Sequence, residues 1–412
     1  MQKTTEHLYY SDSFLFEFDA QVLDSVVTAD SRPSLVLDRT TFYPTSGGQV
    51  FDTGWIVADG TPKLRVTEVL EQDDGTILHV LENPVSIEKG THVRGMVDAE
   101  RRRDHMQQHS GQHVLSAAFV KLFDIPTVSF HMGADACSID LDTKTLTLPQ
   151  VEAAETLANE VVAENRPVEM RYVTQEEARG LGLRKLPPAE RDRLRLIDIR
   201  DFDLSACGGT HVAGTAQIGA ILLRKTEKVR QGYRVEFVCG RRAVAAARND
   251  YTTLSEAAGL LSSQLSDVPQ QTRKLQEDLR ASRKASEHLL AEIAELSAGR
   301  WLAETPETAG RKVVTRKFAD RDLTFIKLLA QKLTRQSPNA IALLAATAGQ
   351  PALVFCCSAG LPFDMNALMK EALEKLGGRG GGTKDMAQGG PQKVEAIDAV
   401  LNELADRLRA SR

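Results

Sequence analysis

Residues 99–123 read AERRRDHMQQHSGQHVLSAAFVKLF, a long helical pattern. It carries His105, His109 and His113 at intervals of four. Neighbours at that spacing share a helix face, with Cβ atoms about 5–6 Å apart. Two such imidazoles can close on one zinc ion, whose bonds to nitrogen are about 2.0–2.1 Å long. The outer pair lies about 12 Å apart along the axis, so one histidine of the three is left out of a shared site.

A second half-site follows at Cys207-Gly208-Gly209-Thr210-His211. Cysteine and histidine at this spacing suit one metal, and the two glycines let the backbone fold tightly between them. Joined to a histidine pair, the set becomes one cysteine and three histidines, which fits a closed structural site or a catalytic one. Each motif alone is weak, and the two together are much stronger. A metalloprotease helix would need His-Glu-x-x-His. Here Ser110 follows His109, and no glutamate lies between His105 and His113.

Upstream, residues 1–95 alternate apolar and polar positions in FLFEFDAQVL, SLVLD, GWIVA, LRVTEVL and TILHVL. Asp-Gly at 59–60 and 74–75 and Gly-Gly at 47–48 mark turns, which predicts a small N-terminal β-barrel. Residues 96–248 mix the histidine helix and a second helix, VEAAETLANEVVAEN, with strands, so an α+β domain is expected. Residues 249–305 predict a helical linker with an apolar stripe at Leu275, Leu279, Leu289, Leu290, Ile293 and Leu296. That stripe fits a helical hairpin or a coiled-coil seam between two chains. Residues 306–412 predict an α/β domain, with strands KVVTRKF, DLTFIKLLAQKL, AIALLAATA and PALVFCCSA and helices DMNALMKEALEKLG and VEAIDAVLNELADRLRA. The fold class is α+β overall.

The chain of 412 residues is 42% hydrophobic and 26% charged, the balance of a globular protein. No apolar run reaches the roughly 20 residues of a membrane helix, and the N-terminus lacks the apolar core of a signal peptide. A cytoplasmic location without membrane contact is expected. The five cysteines are an odd number and widely spread, which disfavours a disulfide framework. Net charge is −5, so a nucleic-acid partner would have to use local patches. Candidates are Arg101, Arg102 and Arg103; Arg184 and Lys185; Arg191, Arg193 and Arg195; and Arg224, Lys225, Lys228 and Arg230.

These motifs match a known family. HSGQHVLSAAF (109–119) resembles the HxxxH helix of the editing domain of alanyl-tRNA synthetases, and SACGGTHV (205–212) resembles its CGGTHV segment. FYPTSGGQVFDTG (42–54) is similar to the family's FYxxSGGQxxDxG stretch, and RVEFVCGRRA (234–243) to the strand that closes the domain. GGRGGGTKDMAQGG (377–390) resembles the glycine-rich signature of the synthetase's C-terminal domain. The FYPTSGGQ stretch begins at residue 42, so no aminoacylation domain is expected ahead of it. The chain therefore resembles the free-standing alanyl-tRNA editing proteins, the AlaX group, in its long form.

The resemblance implies one zinc ion held by His109, His113, Cys207 and His211, with His105 one turn away. It implies hydrolysis of the ester on alanine tRNA mischarged with serine or glycine. An apolar pocket cannot strongly reject a residue that merely adds a hydroxyl, so a second, hydrolytic site supplies the discrimination. His105, Asp201, Asp203 and Thr210 are the catalytic candidates near the ligands. Ser205 stands where the family often has glutamate, which questions a carboxylate there. Ser129, His131, Gly47, Gly48 and Gln49 are candidates for the substrate pocket, and Arg379 and Lys384 for tRNA phosphates. The linker or the C-terminal domain could pair two chains. The alternatives are a non-catalytic tRNA-binding zinc protein, a threonine-tRNA editing enzyme, disfavoured by the SGGQ and glycine-rich stretches, and a phosphodiesterase, disfavoured because the sequence has no Asp-His-His cluster.

Overall fold

The alternation in the first hundred residues closes a barrel in the computed structural model, which describes residues 5–184 and 193–411. Lys185 and Arg191, two of the basic candidates, lie outside the described residues. The barrel runs in the order Glu17–Val27, Pro33–Leu37, Ile77–Leu81, Leu64–Glu71, Gly54–Ala58 and His92–Val97, with the last strand back on the first. Along Glu17–Val27 the residues Phe18, Ala20 and Val22 point inward and their neighbours outward, as a period of two requires. Leu35, Leu37, Ile56, Val66 and Val69 complete the filling.

A histidine side chain enters this core. His79 is fully buried, with Nδ1 donating to the Leu35 carbonyl at 3.0 Å and Nε2 accepting from the Thr40 hydroxyl at 2.8 Å. Burial pulls its pKa from 6.5 down to about 4. Above pH 6.5 the imidazole is neutral in both states. As pH falls from 6.5 towards 4, the unfolded chain takes a proton that the folded barrel refuses, and roughly 3 kcal/mol of stability is lost. In His79→Gln the fall in stability between pH 7 and pH 4.5, measured by chemical denaturation, should be shallower. An identical slope in the two proteins would refute this role.

Two compact units divide the chain, Met1–Glu256 and Ala257–Arg412. In the first, the histidine helix spans Ala99–Phe123 and ends at Asp124, which is in the left-handed conformation. From His109 to Phe119 every residue is buried, so the helix is a core element rather than a surface one. A helix at Leu148–Ala163 packs beside it. A four-stranded antiparallel sheet runs Ile221–Val229, Gly232–Cys239, Cys137–Leu141 and Thr127–Met132. A three-stranded one runs Val168–Thr174, Arg193–Ile199 and Asp203–Ala206.

The second unit has a mixed sheet in the order Lys312–Phe318, Ala340–Ala346, Ala352–Cys357, Met386–Pro391 and Gly378–Gly382, in which the first pair is parallel. Ala340–Ala346 is wholly buried because both sheet faces are covered. Ile341 and Leu343 pack towards the helices Met365–Leu376 and Ile397–Ala410, while Ala342 and Leu344 pack towards the other side. DLTFIKLLAQKL, read above as a strand, is instead within the helix Leu323–Gln336. The Asp322 carboxylate accepts from the Phe325 amide at 2.9 Å and caps it. Phe325, Ile326, Leu329, Ala330 and Leu333 then share one buried face at helical spacing. The late glycine run forms the strand pair Gly378–Gly382 with Met386–Pro391.

Helices occupy Gly240–Leu260 and Val268–Glu304. On the second, Ala294, Ala298 and Leu302 are the residues that bury. Leu275, Leu279, Leu289, Ile293 and Leu296 of the predicted stripe are exposed. No described helix is long and apolar enough to cross a membrane.

Candidate metal centre

Helix periodicity puts His109 and His113 on one face of Ala99–Phe123, with ring centroids 5.3 Å apart. The loop after Asp203–Ala206 brings His211 to within 4.5 and 4.8 Å of those two rings, centroid to centroid. Cys207 Sγ lies 3.3 Å from His109 Nε2 and 3.3 Å from His211 Nε2. One ligand atom from each of the four residues falls within 4.8 Å of all the others. A tetrahedral ion with bonds of about 2.0–2.3 Å needs ligand atoms roughly 3.3–3.8 Å apart, so modest closure completes the site. His105 is outside the cluster.

The outer contacts also fit a metal. His109 Nδ1 donates to Gln49 Oε1 at 2.8 Å, His113 Nδ1 to Asp203 Oδ2 at 3.1 Å, and His211 Nδ1 to Ser110 Oγ at 3.1 Å. With every Nδ1 engaged, every Nε2 is left for an ion, the usual tautomer lock of a histidine ligand. Burial would raise the Cys207 thiol, but His109 and His211 beside it, with hydrogen bonds from His109 and His113, hold its pKa well below the ordinary value. Cys207 therefore favours the thiolate a metal requires.

Two glycines are required by close approach. A Cβ on Gly209 would lie 2.2 Å from His109 Cε1, and one on Gly48 would lie 2.6 Å from the Phe130 carbonyl oxygen. Gly47 and Gly48, both at positive φ, turn the chain so that Ser46 and Gln49 exchange backbone hydrogen bonds. Gln49 then reaches the centre. Its Oε1 also accepts from the Thr210 amide at 3.0 Å, and its Nε2 donates to Thr210 Oγ1 at 2.9 Å.

Several expected roles change with these contacts. Thr210, one of the catalytic candidates, is buried and bonded to Gln49, where it braces the ligand loop. Asp203 is buried behind His113, gripped by Arg184 Nε at 2.9 Å and Ser205 Oγ at 2.8 Å. Burial would raise its pKa, but the His113 bond and the Arg184 charge hold it below the usual carboxylate range. It positions His113 and is not placed to carry protons. Ser205 thus supports a carboxylate rather than replacing one. Asp201 sits in an exposed turn at φ 57°, outside the cluster.

Ser129 and His131 face away from the centre. On the strand Thr127–Met132 it is Phe130 that stacks on His109, at 5.5 Å and 26°, so its neighbours take the opposite face. There Ser129 bonds Asp140 at 2.7 Å, and His131 is exposed. Phe130 was missed although the strand's period of two could have found it.

Three of the basic candidates are structural. Arg102 is buried against Asp52, Arg184 holds Asp203, and Arg195 donates to the carbonyls of Cys207 and Gly209 at 2.8 and 2.9 Å. Arg379 and Lys384 are exposed on the glycine-rich hairpin of the second unit. His105 is 2% exposed, and its Nδ1 is buried without a hydrogen-bond partner among the described residues. Burial, then Arg101, Arg242 and Arg102, lower its pKa to about 3 and keep it neutral.

Asp203→Asn should weaken the binding of a metal ion by the cluster about 10–100-fold, because an outer partner sets ligand basicity and orientation. Competition with a chromophoric chelator measures this directly. An unchanged affinity would show that the Asp203–His113 bond is incidental.

The barrel, the Cys-Gly-Gly-Thr-His segment and the glycine-rich unit each fall on a stretch that matches a known family. Residues 1–101 match the family model for class II tRNA synthetases (A), and residues 194–235 match the threonyl and alanyl tRNA synthetase second additional domain. Residues 310–410 match the DHHA1 domain. The alanyl-tRNA editing protein AlaX-L of Pyrococcus horikoshii is 32% identical over 98% of this chain and 99% of its own length. The alanine–tRNA ligase of Archaeoglobus fulgidus is 32% identical over 98% of this chain and 44% of its own. The chain belongs to the family of the alanyl-tRNA editing protein AlaX-L.

Proposed function

We propose that this chain is a cytoplasmic hydrolase that frees alanine tRNA from a wrongly attached amino acid, serine first and glycine second. The observation that carries the reading is the buried cluster of His109, His113, Cys207 and His211, in a chain aligned over its length with AlaX-L. These four residues would hold one zinc ion. When bound, zinc supplies Lewis-acid chemistry to an ester or its amino group.

The chain's own groups prepare that chemistry. Gln49, Asp203 and Ser110 fix the three imidazoles, and Arg195 fixes the carbonyls of the Cys-Gly-Gly segment. Phe130 covers His109 and keeps water from its face. Arg379 and Lys384 would meet tRNA phosphates, and the exposed leucines of Val268–Glu304 offer a surface on which two chains could pair.

The test follows ester loss from serine-charged alanine tRNA, with serine-charged serine tRNA as control. Loss from the first alone, abolished in Cys207→Ala, is the expected result. A stable ester with zinc bound at one ion per chain would leave a non-catalytic tRNA-binding zinc protein as the reading.

A further inference from the structure

The strand Arg193–Ile199 buries Leu194 and Leu196 on one face, so Arg195 between them points to the other. There it meets the turn that carries the cysteine half-site and holds it at two points. The Arg195 carbonyl accepts from the Cys207 amide at 3.1 Å. Its Nη1 donates to the Cys207 and Gly209 carbonyls at 2.8 and 2.9 Å. The ladder between the two strands has ended at Leu196 and Ala206, so these carbonyls have no sheet partner. Among the described residues no other group donates to either of them.

The same guanidinium reaches a third segment. Its Nε donates to the Tyr10 carbonyl at 3.1 Å, and its central carbon lies 5.6 Å from the centroid of the Tyr10 ring. Three residues on, Ser13 Oγ accepts from the His211 amide at 3.2 Å, so the N-terminal segment is tied to both ligand residues of the loop. A planar fork can serve three carbonyls at once, whereas the ammonium of a lysine is a point charge on a flexible stem. The consequence falls on the sulfur. Fixing the carbonyls of Cys207 and Gly209 fixes the peptide planes between them, and the Gly209 amide is turned onto Cys207 Sγ at 3.4 Å.

We propose that Arg195 is a positioning residue of the metal centre: through its carbonyl bonds it keeps the Gly209 N–H on the Cys207 sulfur, and so limits the charge that the sulfur gives to a bound ion. The assignment rests on the metal-binding function above and says what sets the strength of one ligand. An N–H bond to a thiolate draws charge from it, and outer contacts of this kind tune the ion that the sulfur holds. A sulfur engaged in this way leaves the ion a stronger Lewis acid towards an ester, which is what a hydrolytic centre needs. Arg195 touches neither ion nor substrate and acts only through the turn.

The test loads the full chain with cobalt(II) in place of zinc and reads the sulfur-to-cobalt charge-transfer band, whose energy follows the charge on the sulfur. Arg195→Lys keeps the positive charge and loses the fork. Its band should lie at longer wavelength than that of the wild type, because a sulfur freed of the Gly209 N–H gives up an electron more easily. Hydrogen exchange of the Gly209 amide should speed up, and zinc affinity should fall about 10-fold. Arg195→Met should move the band at least as far. If that variant folds poorly, Arg195→Lys, which keeps the charge and most of the volume, still decides. A fold merely loosened by the substitution would take up less cobalt and leave the band in place. A band unmoved in Arg195→Lys, or a Gly209 amide that exchanges as slowly as in the wild type, would overturn the assignment. A wild type with no sulfur-to-cobalt band at all would sink the metal-binding function, and the assignment with it.

Discussion

Arg102→Ala is expected to cost about 3–5 kcal/mol of folding stability, the usual result of stranding one member of a buried ion pair. Arg102 and Asp52 are both 0% exposed. Arg102 Nε reaches the two carboxylate oxygens of Asp52 at 3.2 and 3.0 Å, and Nη1 donates to the Ser13 carbonyl at 3.0 Å. Nη2 also donates to the Thr41 carbonyl, and Asp52 accepts from the Tyr43 amide at 2.7 Å. One side chain of the histidine helix therefore holds the whole segment from Thr41 to Asp52, which includes Gln49. The loss should be larger than that of any surface pair, and zinc affinity should fall with it because Gln49 orients His109. Arg102→Met combined with Asp52→Leu should recover part of the loss, since two apolar groups leave no charge stranded. The two tryptophans are Trp55 in the barrel and Trp301 in the second unit. Denaturation of a Trp301→Phe background thus reports the barrel alone. A cost under about 1 kcal/mol would place the pair with exposed ones and refute this account.

The other large effect is expected at Cys207. Its sulfur sits at 3.3 Å from two imidazole nitrogens and supplies the one negative charge among the four ligands. Cys207→Ala should weaken zinc by more than the about 100-fold that removal of an outer partner brings. Deacylation should fall with the zinc content. In the metal-free protein stability should change little, because the half-buried sulfur leaves no large void, whereas the stability that added zinc confers should be lost with the affinity. Zinc retained at full stoichiometry in this variant would mean that the ion is held elsewhere.

The barrel and the ligand half-sites were legible because each depends on a local period. Alternation over residues 17–22 marks a half-buried strand, and an interval of four on a helix brings His109 and His113 together. The helix at Leu323–Gln336 was misread because LTFIKLLAQKL is apolar enough for either element, and its Asp322 cap was passed over. The roles of Asp203, Gln49 and Arg195 depend on contacts between residues far apart in the chain. Gln49 and Thr210 are separated by 161 positions, and no spacing rule connects them. Arg102 was grouped with basic surface residues because its partner, Asp52, lies on the barrel side and is unmarked by pattern. Ser129 and His131 are pocket candidates in the sequence, and strand alternation turns Phe130 between them towards His109.

The most direct measurement follows serine release from serine-charged alanine tRNA by the wild-type chain and by Cys207→Ala, with zinc content assayed in the same samples. Rapid release by the zinc-loaded wild type, none from serine-charged serine tRNA and none by the variant, is the predicted result. A stable ester in the presence of fully zinc-loaded wild type would contradict the account and leave the four ligands a structural role only.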